Sequence, residues 1–155
     1  VQTCALPIWF FLMAFERDVD YAFDHAVDMY LDRKTGKVEW IYEEDDDAEM
    51  MGLSAAENRS WRKRLAARPE RFLLIPGLSH GEHHEILRDF LASDWTDDDS
   101  LHESVRNAYR GSIGRWKEAV GDREVVHAFY SYQERRILEM AVTFLSENGI
   151  QVEWA

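Results

Sequence analysis

Cysteine, proline and basic residues are all scarce in this chain, and each scarcity excludes something. Cys4 is the only cysteine, so no internal disulfide and no cysteine-built zinc site can form within one chain. A reducing compartment fits, and the chain reads as cytoplasmic. No apolar run approaches the roughly 20 residues that span a bilayer. Lys and Arg number 18 against 30 Asp and Glu, for a formal net charge of −12. Phosphate contact needs a basic surface, so this balance argues against a general nucleic-acid binder. Only three prolines and eight glycines punctuate the 155 residues. They form no Pro/Gly/Ser-rich linker, and no internal repeat is visible. One domain with one core is the expectation.

What is present is globular in character. The chain is 46% hydrophobic and 13% aromatic, with six tryptophans, enough to bury a core. The acidity is uneven: residues 1–53 hold 13 acids and 4 bases, residues 54–93 hold 5 and 7, and residues 94–155 hold 12 and 7. Residues 1–8, Val-Gln-Thr-Cys-Ala-Leu-Pro-Ile, read as an in-frame translation of a sequencing-library adapter. They are set aside from fold reasoning, which leaves residues 9–155 as the single domain. Cys4 would then be foreign to the native protein.

The pattern along the rest of the chain alternates between periods of 2 and 3.6. Leu12, Phe15 and Trp9 look like part of a first helix. Val27, Met29 and Leu31 alternate, as do Val38, Trp40 and Tyr42. Gly36 between them supplies the left-handed residue of a short hairpin loop, which predicts a β-hairpin over 26–32 and 37–43. The acidic run at 43–47 reads as an exposed loop. Ser54 with Glu57, Ser79 with Glu82 and Ser100 with Glu103 each have the spacing of a capping box before a helix. Pro69 ends the first of these helices, and residues 72–76 read as a short buried strand or extended segment. Ile113, Trp116 and Val120 suggest a short helix. A long one follows Gly121-Asp122, with a stripe through Val126, Phe129, Tyr130, Ile137, Met140, Ala141, Phe144 and Leu145. Gly149 stops it, and Ile150, Val152 and Trp154 alternate as a last strand. The fold class is α+β: a small antiparallel sheet, made of the N-terminal hairpin plus short strands, packed with four to five helices.

Candidate chemistry is sparse. His80 and His84 are four apart and share a helix face, as a metal pair would. Yet the order is not His-Glu-x-x-His, no third ligand is evident, and a polar helix start explains the cluster. No metal and no cofactor are therefore assigned. The acidic runs at 43–47 and 94–99 lack the order of an EF-hand loop. Arg59, Arg62, Lys63, Arg64, Arg68 and Arg71 interleave with Trp61 in a basic stretch that suits phosphate, but also suits an ion-paired outer face. Arg115, Trp116, Lys117, Tyr130 and Arg135 combine cations with aromatics, and could line a groove for a protein or an anionic small molecule, or be core aromatics flanked by surface charges. No Gly-x-Ser-x-Gly, Gly-x-Gly-x-x-Gly or phosphate-binding loop occurs, and no catalytic residue is assigned.

Three stretches resemble a known family. Tyr30-Leu31-Asp32-Arg33-Lys34-Thr35-Gly36-Lys37-Val38 is similar to its Tyr-Leu-Asp-x-x-Thr-Gly-x-Val hairpin. Arg71-Phe72-Leu73-Leu74-Ile75-Pro76, leading to Glu82 and to Ile86 through Phe90, is similar to its second motif. Residues 111–118, then Tyr130 and residues 147–150, resemble its Gly-Ala-Phe-Arg-Arg-Phe-Lys-Asp motif and closing helix. The family is the bacterial uncharacterised protein family zero-one-five-eight. The resemblance implies a small cytoplasmic bacterial protein of unassigned function and brings no catalytic residues with it. Ile113-Gly114-Arg115-Trp116 departs from the family's Phe-Arg-Arg-Phe, which removes one arginine and one ring.

The leading functional expectation is a non-enzymatic binding or protein-interaction domain. The alternatives are a nucleic-acid-associated protein using residues 59–71, and a metal-dependent enzyme at His80 and His84.

Overall fold

Alternation around Gly36 does produce a hairpin. Strands β2 (Val27–Asp32) and β3 (Val38–Tyr42) pair antiparallel, with Val27 opposite Tyr42 and Leu31 opposite Val38. Gly36 turns between them at φ 73°, a left-handed conformation that glycine adopts without strain. The computed structural model describes residues 2–4, 8–20 and 27–152. Strand β4 (Phe72–Leu74) pairs antiparallel with the other side of β2, so the three-stranded sheet has the order β3-β2-β4. Val27, Met29 and Leu31 are buried, as their alternation requires. On β3 the expectation shifts: Ile41 and Tyr42 are buried, whereas Trp40 is 47% exposed. Period 2 cannot describe a strand end that is covered on both faces.

Among the described residues there are seven α-helices: α1 (Ile8–Phe15), α2 (Asp45–Met50), α3 (Ala55–Ala67), α4 (His80–Ala92), α5 (Asp99–Asn107), α6 (Ile113–Val120) and α7 (Arg123–Glu147). A 3-10 turn, Pro69–Arg71, leads into β4. The molecule is α+β with its three-stranded sheet antiparallel, and the helices exceed the expected four to five. The extra one with the clearest cause is α2, which replaces the expected acidic loop. Asp45, Asp46 and Asp47 occupy its first turn, where carboxylates favour the positive end of the helix dipole.

The chain forms two compact units, Val1–Ser79 with Met140–Ala155, and His80–Glu139. In the first unit, Phe11, Ala14 and Phe15 form the buried side of α1. Trp9 lies on this helix as expected and is 75% exposed, because the inward stripe at helical spacing runs through 11, 14 and 15. Phe11 and Phe15 stack near Phe144 at centroid distances of 6.3 and 5.8 Å. Strand β5 (Ile150–Val152) pairs in parallel with β1 (Gln2–Cys4), apart from the three-stranded sheet. Trp154, expected in this strand, lies outside the described residues. Near Leu78, Gly77 has φ 68°, and a Cβ there would stand 2.4 Å from Val19 Cγ1 and 2.9 Å from the Arg17 carbonyl oxygen. Only glycine admits the paired bonds Val19 N–H to Leu78 C=O and Leu78 N–H to Arg17 C=O, at 3.0 and 2.9 Å.

Directed polar contacts complete this unit. Asp32 is 2% exposed. Its carboxylate accepts two bonds from Arg71, Nε at 2.7 Å and Nη2 at 2.6 Å, and one from the Lys34 N–H at 2.9 Å. The bidentate guanidinium is the main reason that the Asp32 carboxyl is held well below the usual carboxylate range. Two of the motifs behind the family resemblance meet in this pair: the hairpin supplies Asp32, and the Arg-Phe-x-x-Ile-Pro segment supplies Arg71. Asn58 on α3 is fully buried. Its amide accepts the Tyr42 N–H at 2.9 Å and donates to the Tyr42 carbonyl at 3.0 Å. Ser54 and Glu57 form the expected capping box ahead of α3.

The second unit, among its described elements, is helical. Phe90, Trp116 and Phe129 are buried together, with Trp116 5.3 Å from Phe129 and 6.3 Å from Phe90 between ring centroids. Trp95 and Tyr132 add rings 5.3 and 5.7 Å from Phe90. The expected Ser100–Glu103 box is not what starts α5. Asp98 caps it, accepting the Leu101 N–H at 3.0 Å, because a carboxylate two residues earlier already takes the orphan donor. Ser112 caps α6, and Gly121 ends it in the left-handed conformation. On α7 the inward residue is Val125 rather than Val126, in register with Phe129.

Candidate binding groove

The first turn of α6 turns its residues in different directions. Ser112 fixes the start by accepting the Arg115 N–H at 3.3 Å. Trp116 then points inward and is fully buried, with its Nε1–H donating to the Val105 carbonyl at 3.0 Å. It is therefore a core residue, and the expectation that it walls a groove is corrected. An indole with an acceptor inside the core is well satisfied there. Arg115, one residue earlier, is exposed.

Lys117, one residue later, lies half-buried along the surface. Its Nζ sits 4.5 Å from the centre of the Tyr130 ring and 5.8 Å from that of Phe129, within reach of a cation–π attraction. Tyr130 is 41% exposed. These two residues bound an open groove of about 450 Å³ between the end of α6 and the first turns of α7. Arg123, Val126 and His127 complete its α7 side, and Glu118 and Asp122 line it as well. Arg123, Val126, His127 and Tyr130 follow helical spacing on one face. That signal was present in the sequence, where only Tyr130 drew notice as a cation partner.

Arg135 belongs elsewhere. It lies 5.7 Å from the centre of the Tyr132 ring and lines a groove of about 340 Å³ with Asp89, Tyr132, Arg136 and Glu139. The structure thus brings Lys117 and Tyr130 together, keeps Arg115 on the same helix, buries Trp116, and sends Arg135 to a second groove.

The basic stretch is largely engaged within its own unit. Arg59 and Arg62 both bond the Asp45 carboxylate, Arg59 at 2.8 Å. Arg62 also donates to the Glu43 carbonyl at 2.7 Å. Bonds from Asn58 first, then Arg59, lower the Asp45 pKa. Arg64 lies 4.3 Å over the Trp61 ring, and Arg71 holds Asp32. His80 and His84 do share a face of α4, with their Nε2 atoms 3.0 Å apart. Among the described residues no three His, Cys, Asp or Glu side chains gather as a metal cage would. None of the described helices is long and apolar enough to cross a membrane.

The family described as Uncharacterised protein family (UPF0158) matches residues 10–154. The UPF0158 protein PA5073 of Pseudomonas aeruginosa is 30% identical over 129 residues, covering 81% of this chain and 76% of that protein. No solved structure matches.

Proposed function

The chain belongs to the uncharacterised family UPF0158, and from that premise we propose that it is a cytoplasmic, non-enzymatic binding domain that takes a short acidic peptide segment of a partner protein in the groove between α6 and α7. The observation that carries this reading is Lys117, held 4.5 Å over the exposed Tyr130 ring on the wall of that groove. A cation and an aromatic ring, with Arg123 and Val126 beside them, offer a carboxylate a charged partner and an apolar side chain a surface. Glu118 and Asp122 also line the groove, so an acid placed beside them would meet like charge. The nucleic-acid alternative loses ground, because Arg59, Arg62 and Arg71 already serve carboxylates.

A displayed peptide library panned against the immobilised chain tests the proposal. Enriched peptides should carry an acidic residue beside an apolar one. Lys117→Glu and Tyr130→Ala should each lower their affinity at least about tenfold, the loss expected when a desolvated charge or aromatic anchor goes, with the melting temperature unchanged. Peptides that bind both variants as well as they bind the parent would sink the reading.

A further inference from the structure

A second site of different chemistry stands at the start of α4. His80 and His84 project from successive turns, four residues apart, and their Nε2 atoms face each other at 3.0 Å. Two imidazole nitrogens on one tetrahedral ion, each bonded at about 2.0–2.1 Å, would stand about 3.3 Å apart. The two rings are therefore set close to the separation that a shared ion requires. The far nitrogen of His84, Nδ1, is hydrogen-bonded to the Tyr109 hydroxyl. With that hydroxyl accepting the Nδ1 proton, His84 Nε2 accepts the hydrogen bond that His80 Nε2–H donates, and a bound ion would take the place of that shared proton. A hydrogen bond on the distal nitrogen is the usual second-layer support of a metal-bound histidine, fixing both tautomer and ring orientation. His84 is 9% exposed and so held in place, whereas His80 is open to solvent. One side of the pair is rigid and the other accessible, which suits capture of an ion that keeps water in its remaining positions.

We propose that His80 and His84 form a two-histidine chelate for a first-row divalent ion that favours imidazole, Zn²⁺ being the probe of choice, with Tyr109 as its positioning residue. The proposal assigns no reaction to the ion and is independent of the groove at Lys117.

Isothermal titration of the purified full chain with zinc chloride tests it. One saturable site per chain is expected. His80→Ala, an exposed change that spares the fold, should abolish it. Tyr109→Phe should weaken it by about tenfold, the cost typical of losing such a support. His102→Ala, outside both the pair and the groove, should leave it unchanged. The proposal is overturned if the parent chain shows no saturable binding, if His80→Ala binds as the parent does, or if the heat is lost in His102→Ala instead.

Discussion

The two units hold themselves together by different means. The unit containing the sheet buries charge and amide groups: Asp32 against Arg71, Asn58 against the Tyr42 backbone. The helical unit centres on rings: Phe90, Trp116 and Phe129, with Trp95 and Tyr132 at their edge. Sheets need register, which the apolar pattern and the turn set, and a buried directed bond adds a fixed point to it. Helices satisfy their own backbones and need only shaped apolar surface to pack. Of the buried polar residues described, Asp32 and Asn58 hold backbone in the sheet unit, whereas His84 in the helical unit bonds another side chain.

Three experiments press on that contrast. The largest effect should come from Trp116→Ala, which empties a fully buried indole site and strands the Val105 carbonyl; a loss of about 4 kcal/mol is expected in urea denaturation. A loss under about 1 kcal/mol would mean that the ring cluster is not the keystone of its unit.

Next comes Asp32→Ala, which leaves the Arg71 guanidinium without its carboxylate and should cost about 3 kcal/mol. This pair also carries a pH signature. The Asp32 carboxyl titrates below its ordinary range when folded. Its contribution is therefore complete above the unfolded value near about 3.9 and drains away as pH falls beneath it. Melting temperature should decline on acidification in the parent chain and decline less steeply in Asp32→Asn. Parallel curves would show that the bidentate bond adds no pH-linked stability.

The smallest effect should be shared. Ser54→Ala ahead of α3 and Asp98→Ala ahead of α5 each remove an N-cap acceptor, at about 1 kcal/mol apiece. Equal losses would show that helix starts obey one rule in both units, and that the contrast lies in the cores alone.

How far the sequence spoke for itself follows the same divide. The hairpin was legible because Gly36 and two alternating runs are local signals. The Ser54–Glu57 box was legible because its two halves lie three residues apart. Asp32 and Arg71 are separated by 39 positions, and no local pattern announces such a pair. Asn58 sits in a polar stretch and reads as surface until the strand edge beside it is seen. The acidic run was misjudged as loop because three aspartates look like solvated charge, although a helix start is where they are most comfortable. Trp116 was open to two readings, a groove wall between Arg115 and Lys117 or a core ring flanked by surface charges, and its burial fits the second. Consecutive helical residues point about 100° apart, so its charged neighbours say little about its own direction. The pairing of Lys117 with Tyr130 was half legible, since both residues were singled out but the α7 face that joins them was not.

Asn58 has one more consequence. Strand β3 lies at an edge of its sheet, and an open edge is a template on which another chain can add a strand. At Tyr42 that template is already occupied: a side-chain amide imitates the incoming backbone, taking both the N–H and the C=O. A single asparagine thus acts as a stopper against fibril-like growth at the end of the hairpin, and its loss would be felt in solubility on standing as well as in folding stability.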